Sequence, residues 1–167
     1  MEIAGIPMLT FVGFILTIVA LVIDLIGFAA PYWWYVSVGN AKTYAGLWKY
    51  CGGYSGASTS CVDYVDLENI ESWRKAVQAM ETIGFLCLIA ALVVVILKLF
   101  VLKDKPILKW VAVGCLAAAA AFILIGVCIF GGEASTLETD NLHFAFAFVI
   151  IAAIVAIVAS IMFCLDK

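Results

Sequence analysis

Four long apolar runs constrain this chain more than any other feature of it. A hydrocarbon core of about 30 Å is crossed by about 20 mostly apolar residues rising ~1.5 Å each. The first run spans roughly Ile6 to Ala30 and is broken only by Asp24. The second spans about Thr82 to Leu102 with Lys98 near its end, the third about Leu108 to Phe130, and the fourth about Leu142 to Leu165. No segment alternates apolar and polar residues over the length a membrane β-barrel strand needs. Composition agrees: 66% of the 167 residues are apolar and 13% charged, where a soluble domain holds about 45–50% and about 25%. A globule of this size has too little interior to hide so much apolar surface. A soluble enzyme, a disordered chain and a nucleic-acid binder are thereby excluded. A net charge of −3 argues against nucleic acid a second time. The expected fold class is a membrane all-α four-helix bundle, with the lipid bilayer as its first partner.

The chain reads as one four-span domain over residues 1–167, with spans near 6–30, 82–102, 108–130 and 142–165. Loops outside the membrane are expected at 31–76 and 131–141, and a hairpin at 103–107. Lys103 and Lys105, flanked by Lys98 and Lys109 and opposed only by Asp104, place that hairpin in the cytosol. Both termini then lie in the cytosol, in a multi-pass plasma-membrane protein. Trp110 suits an inner-interface anchor, and Tyr32, Trp33 and Trp34 suit an outer one. The start Met1-Glu2-Ile3 lacks a basic segment and the first apolar run is too long for a cleaved signal, so span one is read as retained. The run Ala117–Ala121 reads as close helix packing through small side chains.

Loop one carries most of the polar chemistry and is the only large surface outside the lipid. Tyr32 to Val38 is aromatic and β-branched and favours strand. Gly39-Asn40 suits a turn, Thr43 to Cys51 a second strand, Gly52 to Gly56 a flexible turn, and Ser58 to Val65 a third strand. Leu67 to Gln78 has helical character leading into span two. Together these predict a small extracellular antiparallel sheet standing on the bundle. A sheet this small has little core of its own. Of the six cysteines, only Cys51 and Cys61 lie outside the membrane, facing each other across a Gly-rich turn in an oxidising compartment. A disulfide is the natural reading; a metal site lacks further ligands, since loop one has no His. Cys87, Cys115, Cys128 and Cys164 fall within spans, where Cys packs as a small apolar residue. Cys164, at the cytosolic end of span four, is also a candidate for palmitoylation.

Trp33 after Pro31, then Gly46-Leu47-Trp48, Cys51 and Cys61, resembles the Trp, Gly-Leu-Trp, Cys, Cys signature of the claudin superfamily. That superfamily comprises claudins, the peripheral myelin and epithelial membrane proteins, lens membrane intrinsic proteins and voltage-gated calcium channel γ subunits. The resemblance covers the whole chain, since the four spans and large first loop agree too. Tetraspanins differ because their large loop is the second, and connexins because each outer loop holds several cysteines. Within the superfamily the chain is divergent. Tyr44 to Trp48 is claudin-like, whereas Trp73 to Ala79 is similar to the epithelial and peripheral myelin group. The interval from Trp33 to Trp48 is short for a claudin, and no Asn-x-Ser/Thr sequon occurs. The ending Leu165-Asp166-Lys167 lacks the Tyr-Val by which claudins dock PDZ scaffolds, which argues against such a partner.

The resemblance implies a sheet with strands from loop one plus one from loop two. It implies a non-enzymatic membrane protein of cell–cell contacts, a junctional barrier or adhesion component of the tight-junction kind that self-associates in cis and in trans, including with other claudin-like proteins. The second implied reading is a membrane organiser of the epithelial and peripheral myelin kind, or a γ-like regulatory subunit of a channel.

Single residues add less. Trp48 with Gly46 and Leu47 is expected to wedge the sheet against the membrane. Asp24 lies inside span one, where an ionised carboxylate costs several kcal/mol unless partnered; it is expected to face the bundle and bond polar groups of loop one or span four. No second charge at comparable depth is expected to form a relay with it. Glu81 reads as capping span two or pairing with a basic group. His143 is the only histidine and stands outside any metal-ligand spacing. No nucleophile–base pair, phosphate-cradling loop or metal motif is visible, and no cofactor is expected. Glu133, Glu138 and Asp140 make loop two acidic, while in loop one Lys42, Lys49, Arg74 and Lys75 balance Asp63, Asp66, Glu68 and Glu71. An acidic confined surface favours cations, which makes Asp63 and Asp66 the candidates for lining a paracellular path. Val62, at a position often charged in pore-forming claudins, argues against a pore.

Overall fold

The computed structural model describes residues 2–3, 6–54, 56, 58–67, 70–102, 105–134 and 141–166. Glu68, Lys103, Asp104, Glu138 and Asp140, which enter the charge reading above, lie outside these described residues. Among the described residues, four helices are long and apolar enough to cross a membrane. A two-residue strand pair, β1 (Glu2–Ile3) and β2 (Ile6–Pro7), leads into α1 (Met8–Ala29). Loop one forms β3 (Trp34–Val38), β4 (Ala41–Ala45), β5 (Lys49–Tyr54) and β6 (Ser60–Asp63), followed by a 3-10 turn at Tyr64–Asp66. The bundle is completed by α2 (Ser72–Ile96), extended by a π turn at Leu97–Val101, by α3 (Ile107–Ala134) and by α4 (Phe144–Leu165). This is a four-span bundle carrying a small antiparallel sheet.

α1 packs chiefly on α4, α4 on α3 and α3 on α2, while α1 and α2 meet more sparsely. The buried face of α1 is Thr10, Gly13, Thr17, Ala20, Asp24 and Gly27; that of α2 is Val77, Glu81, Gly84, Leu88, Ala91 and Val95. Both repeat at alternating steps of three and four, the pattern of near-parallel helix packing. In lipid such seams rest on close backbone approach, so small residues are favoured there. α4 buries Ala145, Val149, Ala152, Ala153, Ala156 and Ala159 along the same kind of line, and a Cβ on Gly27 would stand 2.7 Å from Val149 Cγ1. In the alanine run of α3 only Ala119 and Ala120 are buried, and Ala117 and Ala121 face outward. At the end remote from the sheet, Thr10 Oγ1 donates to the Asp166 carboxylate and Lys109 Nζ to the Asp166 carbonyl at 2.7 Å.

The sheet order is β3-β4-β5-β6, antiparallel throughout, with Cys51 directly opposite Cys61. Loop one therefore supplies four strands where the sequence suggests three. The run expected to form one strand from Thr43 to Cys51 is interrupted at Gly46-Leu47-Trp48. Strand propensity reads only the side chains, whereas here the backbone is pulled out of the sheet by a close tertiary approach described below. Among the described residues the second loop reaches the sheet through a bridge between Leu142 and Trp34 rather than a longer strand. It is reinforced by His143 N–H donating to Trp33 O at 3.0 Å and Ala145 N–H to Tyr32 O at 3.2 Å. α2 starts at Ser72, well before the apolar run, because its first turns stand beside the sheet.

Candidate functional site

The residues that carry the sequence resemblance converge where the sheet meets the bundle. Residue 31, which would supply the helical N–H for the Gly27 carbonyl, is a proline and has none. The Trp33 indole takes that place: Nε1 donates to Gly27 O at 2.8 Å. Trp33 is 0% exposed, edge-on to Phe130 at 5.0 Å and Phe146 at 5.7 Å. It is therefore a core residue and not the interface anchor its flanking position suggests; an indole with its N–H satisfied can be buried whole.

Gly46 explains the broken strand. A Cβ there would lie 2.4 Å from Pro31 Cα and 2.6 Å from Ala30 O, both backbone atoms. Only glycine admits this approach. The Gly46 N–H donates to Lys49 O at 2.8 Å, closing a tight loop. That loop turns Leu47 inward, where it is 1% exposed, and its carbonyl accepts a hydrogen bond from Gln78 Nε2 of α2 at 2.8 Å. Trp48 packs edge-on against Phe28 at 5.1 Å, and Phe28 stacks on Phe85 of α2 at the same distance. The Gly-Leu-Trp segment is thus a root set between α1 and α2. Cys51 and Cys61 are joined by a disulfide that ties β5 to the edge strand β6.

Sequence reading missed Gln78 and Phe28. The one Gln of the sequence, between Val77 and Ala79 at the entry to span two, was the available signal for the first; nothing distinguished Phe28 from its lipid-facing neighbours.

A cavity of about 220 Å³ lies between the sheet and the adjoining ends of α2 and α3, walled by Trp34, Tyr64, Trp73 and Phe130 with Arg74 and Glu71 beside them. The Arg74 guanidinium sits 4.5 Å from the ring centres of both Tyr64 and Trp73 and 3.5 Å from Glu71. Burial pushes the Tyr64 phenol above its ordinary value, with the Arg74 charge working against that shift. Tyr32 stacks on Tyr44 at 4.7 Å, and its phenol is likewise raised, by burial first and then by Tyr44. His143 belongs to this aromatic group, 5.6 Å from Tyr32 and 5.7 Å from Tyr35.

Asp63 and Asp66 are both exposed, at the end of β6 and on the following turn. Asp63 forms an ion pair with Lys49 at 3.4 Å, so part of its charge is already offset. Cys164 is exposed on α4 near its end remote from the sheet. Among the described residues there is no group of three or more His, Cys, Asp or Glu side chains able to hold a metal ion.

Asp24 and Glu81 depart from expectation. Asp24 bonds neither loop one nor α4, and Glu81 neither caps α2 nor pairs with a basic group. Both are 0% exposed, and none of their four carboxyl oxygens has a hydrogen-bond partner among the described residues. Each occupies a core position of the three–four repeat of its own helix. A second intramembrane acid is therefore buried at a comparable level, since Asp24 lies one turn from Gly27 and Glu81 one turn from Gln78, both at the root of the sheet.

A model of the PMP-22/EMP/MP20/Claudin family matches residues 7–165. A direct comparison with curated proteins gives no match.

Proposed function

The chain belongs to the PMP-22/EMP/MP20/Claudin family, and from that premise we propose that it is a non-enzymatic component of cell–cell contacts that self-associates through its loop-one sheet. One observation carries the reading. The root of the sheet is fixed in the bundle by Trp33, Leu47 and Trp48, while its tip leaves apolar side chains uncovered. Val38, Ala41 and Tyr54 lie in one cross-strand row, with Val38 71% and Tyr54 69% exposed. Side chains directly opposite share a face, so the row forms one small apolar ridge at the end farthest from the root. A rigid platform presenting an apolar ridge suits association with a like surface, because little ordering entropy is lost on docking. In its finer form the reading is a tight-junction barrier protein of the plasma membrane with both termini cytosolic, acting in cis and in trans. The carboxylates Asp63 and Asp66 would then bias any path between cells toward cations.

Expression in non-adherent cells tests the proposal. It expects enrichment at contacts and strand-like polymers by freeze-fracture. Even spreading over the surface, with co-purification of a single channel, overturns it in favour of a regulatory subunit within one membrane.

A further inference from the structure

Below the root of the sheet the bundle core holds two acids with nothing among the described residues to answer them. Asp24 and Glu81 are wholly buried and all four oxygens lack a partner among the described residues. Asp24 stands five residues before the end of α1, roughly 8 Å of helix rise inside it. Among the described residues the surroundings supply no positive charge. α1 offers Thr17, Ala20 and Gly27 on the same face, and α4 offers Ala145, Val149 and Ala152. From α3, Gly126 meets Glu81 so closely that a Cβ there would stand 2.6 Å from Glu81 Oε1. Overhead lie Leu47 and Trp33, and Gln78 is spent on Leu47 O. Arg74 is seven residues from Glu81, about 10 Å along the helix, and engages Tyr64, Trp73 and Glu71. Lys98 and Lys109 lie toward the opposite end of the bundle.

Two ionised carboxylates placed together in such surroundings would each lose hydration worth several kcal/mol and repel one another. Something must neutralise them. The fit of Glu81 against the bare backbone of Gly126 leaves the carboxyl packed on α3, an arrangement suited to the smallest cation. We propose that Asp24 and Glu81 are intramembrane proton-binding acids, each carboxyl carrying a proton in the resting protein, which keeps the bundle core closed beneath the sheet. Protonation converts each carboxylate to a neutral acid, which is far less costly to bury. Loss of the protons leaves two like charges in the core, each one helical turn from a group that holds the sheet, Gly27 O on α1 and Gln78 on α2. This goes beyond the contact-forming role and does not depend on it.

Infrared spectroscopy of the purified full-length chain in lipid nanodiscs, titrated from neutral to alkaline pH, tests the proposal. Asp63, Asp66, Glu71, Glu133 and Asp166 are at least partly exposed, so the carbonyl stretch of a protonated carboxylic acid should arise from Asp24 and Glu81. The expected result is that band at neutral pH, reduced in D24N and in E81Q and lost in the double variant, whose amides keep the shape of the acids. As pH rises, the wild-type melting temperature should fall for as long as the folded protein keeps protons that the unfolded chain has lost, and level off where the band disappears. The double variant should melt at a constant temperature over the same range. A spectrum without the band, or identical in the double variant, overturns the proposal. So does a melting temperature that falls equally in both proteins, or one restored at alkaline pH by sodium or calcium, which would make a metal ion the occupant.

Discussion

Trp33 donates its indole N–H to the carbonyl of Gly27 at 2.8 Å, filling a hydrogen bond that Pro31 cannot make. The chain thereby leaves the membrane helix and enters the sheet without abandoning a buried polar group. Trp33→Phe keeps most of the ring and removes this bond; it should cost on the order of 1–3 kcal/mol, read as a lowered unfolding midpoint in detergent. Trp33→Ala, which also empties the contact with Phe130 and Phe146, should cost about 3–5 kcal/mol. Equal losses in the two variants would show that the bond contributes nothing.

Glycine substitutions along loop one should separate sharply. Gly46→Ala drives a methyl into the backbone of Ala30 and Pro31 and should prevent the root from seating, seen as loss of surface expression. Gly52→Ala meets only Thr43 Oγ1, at 4.0 Å, and should express as the parent does. Surface expression of the Gly46 variant at the parent level would contradict the close approach.

The disulfide closes a short loop between facing strands. Replacing Cys51 and Cys61 together by serine should cost roughly 2–3 kcal/mol in the chain-entropy picture and free the edge strand β6. The spans should still insert, as glycosylation-site mapping would report, while enrichment at cell contacts is lost. Retained enrichment would show that the platform does not need its staple.

The ridge at the sheet tip gives a surface test that leaves the root intact. Val38→Ser and Tyr54→Ser should each leave the unfolding free energy within about 0.5 kcal/mol of the parental value, as exposed substitutions do, yet together reduce contact enrichment. An unchanged distribution between contacting cells would move the association surface elsewhere.

The Lys49–Asp63 pair is half exposed, so its stability value is at most about 1 kcal/mol. Its electrical consequence is larger. Lys49→Met should release the Asp63 charge and raise cation preference in dilution-potential measurements across cell monolayers, and Asp66→Asn should lower it. No change in either variant would remove these carboxylates from the path.

How much of this was legible in the sequence depended on which physical signal each part obeys. The helices were readable because lipid imposes a length on every apolar run. The disulfide was readable because only Cys51 and Cys61 fall outside those runs. The sheet was readable in composition but not in strand count, since Gly46 breaks the second strand through contact with Ala30 and Pro31, which lie outside the sheet at the end of α1. Glu81 was misjudged because a carboxylate near a helix start looks like a cap. The phase of Val77, Glu81, Gly84 and Leu88 places it inside, and that phase emerges only once the helix is known to begin at Ser72. Trp33 was misplaced because proximity to a span end favours an interface anchor, and only the missing proline N–H at residue 31 argued otherwise.

The sheet hangs from two helices by separate ties, the Trp33 bond to α1 and the Gln78 bond from α2, and theirs is the sparsest of the four neighbouring helix contacts. It is therefore placed as a caliper across them. A change in their spacing, from bilayer thickness, a neighbour in the membrane or the buried acids, would be delivered at the tip as a change in pitch. The ridge formed by Val38, Ala41 and Tyr54 lies at the far end of that lever, where a small rotation at the root becomes the largest displacement.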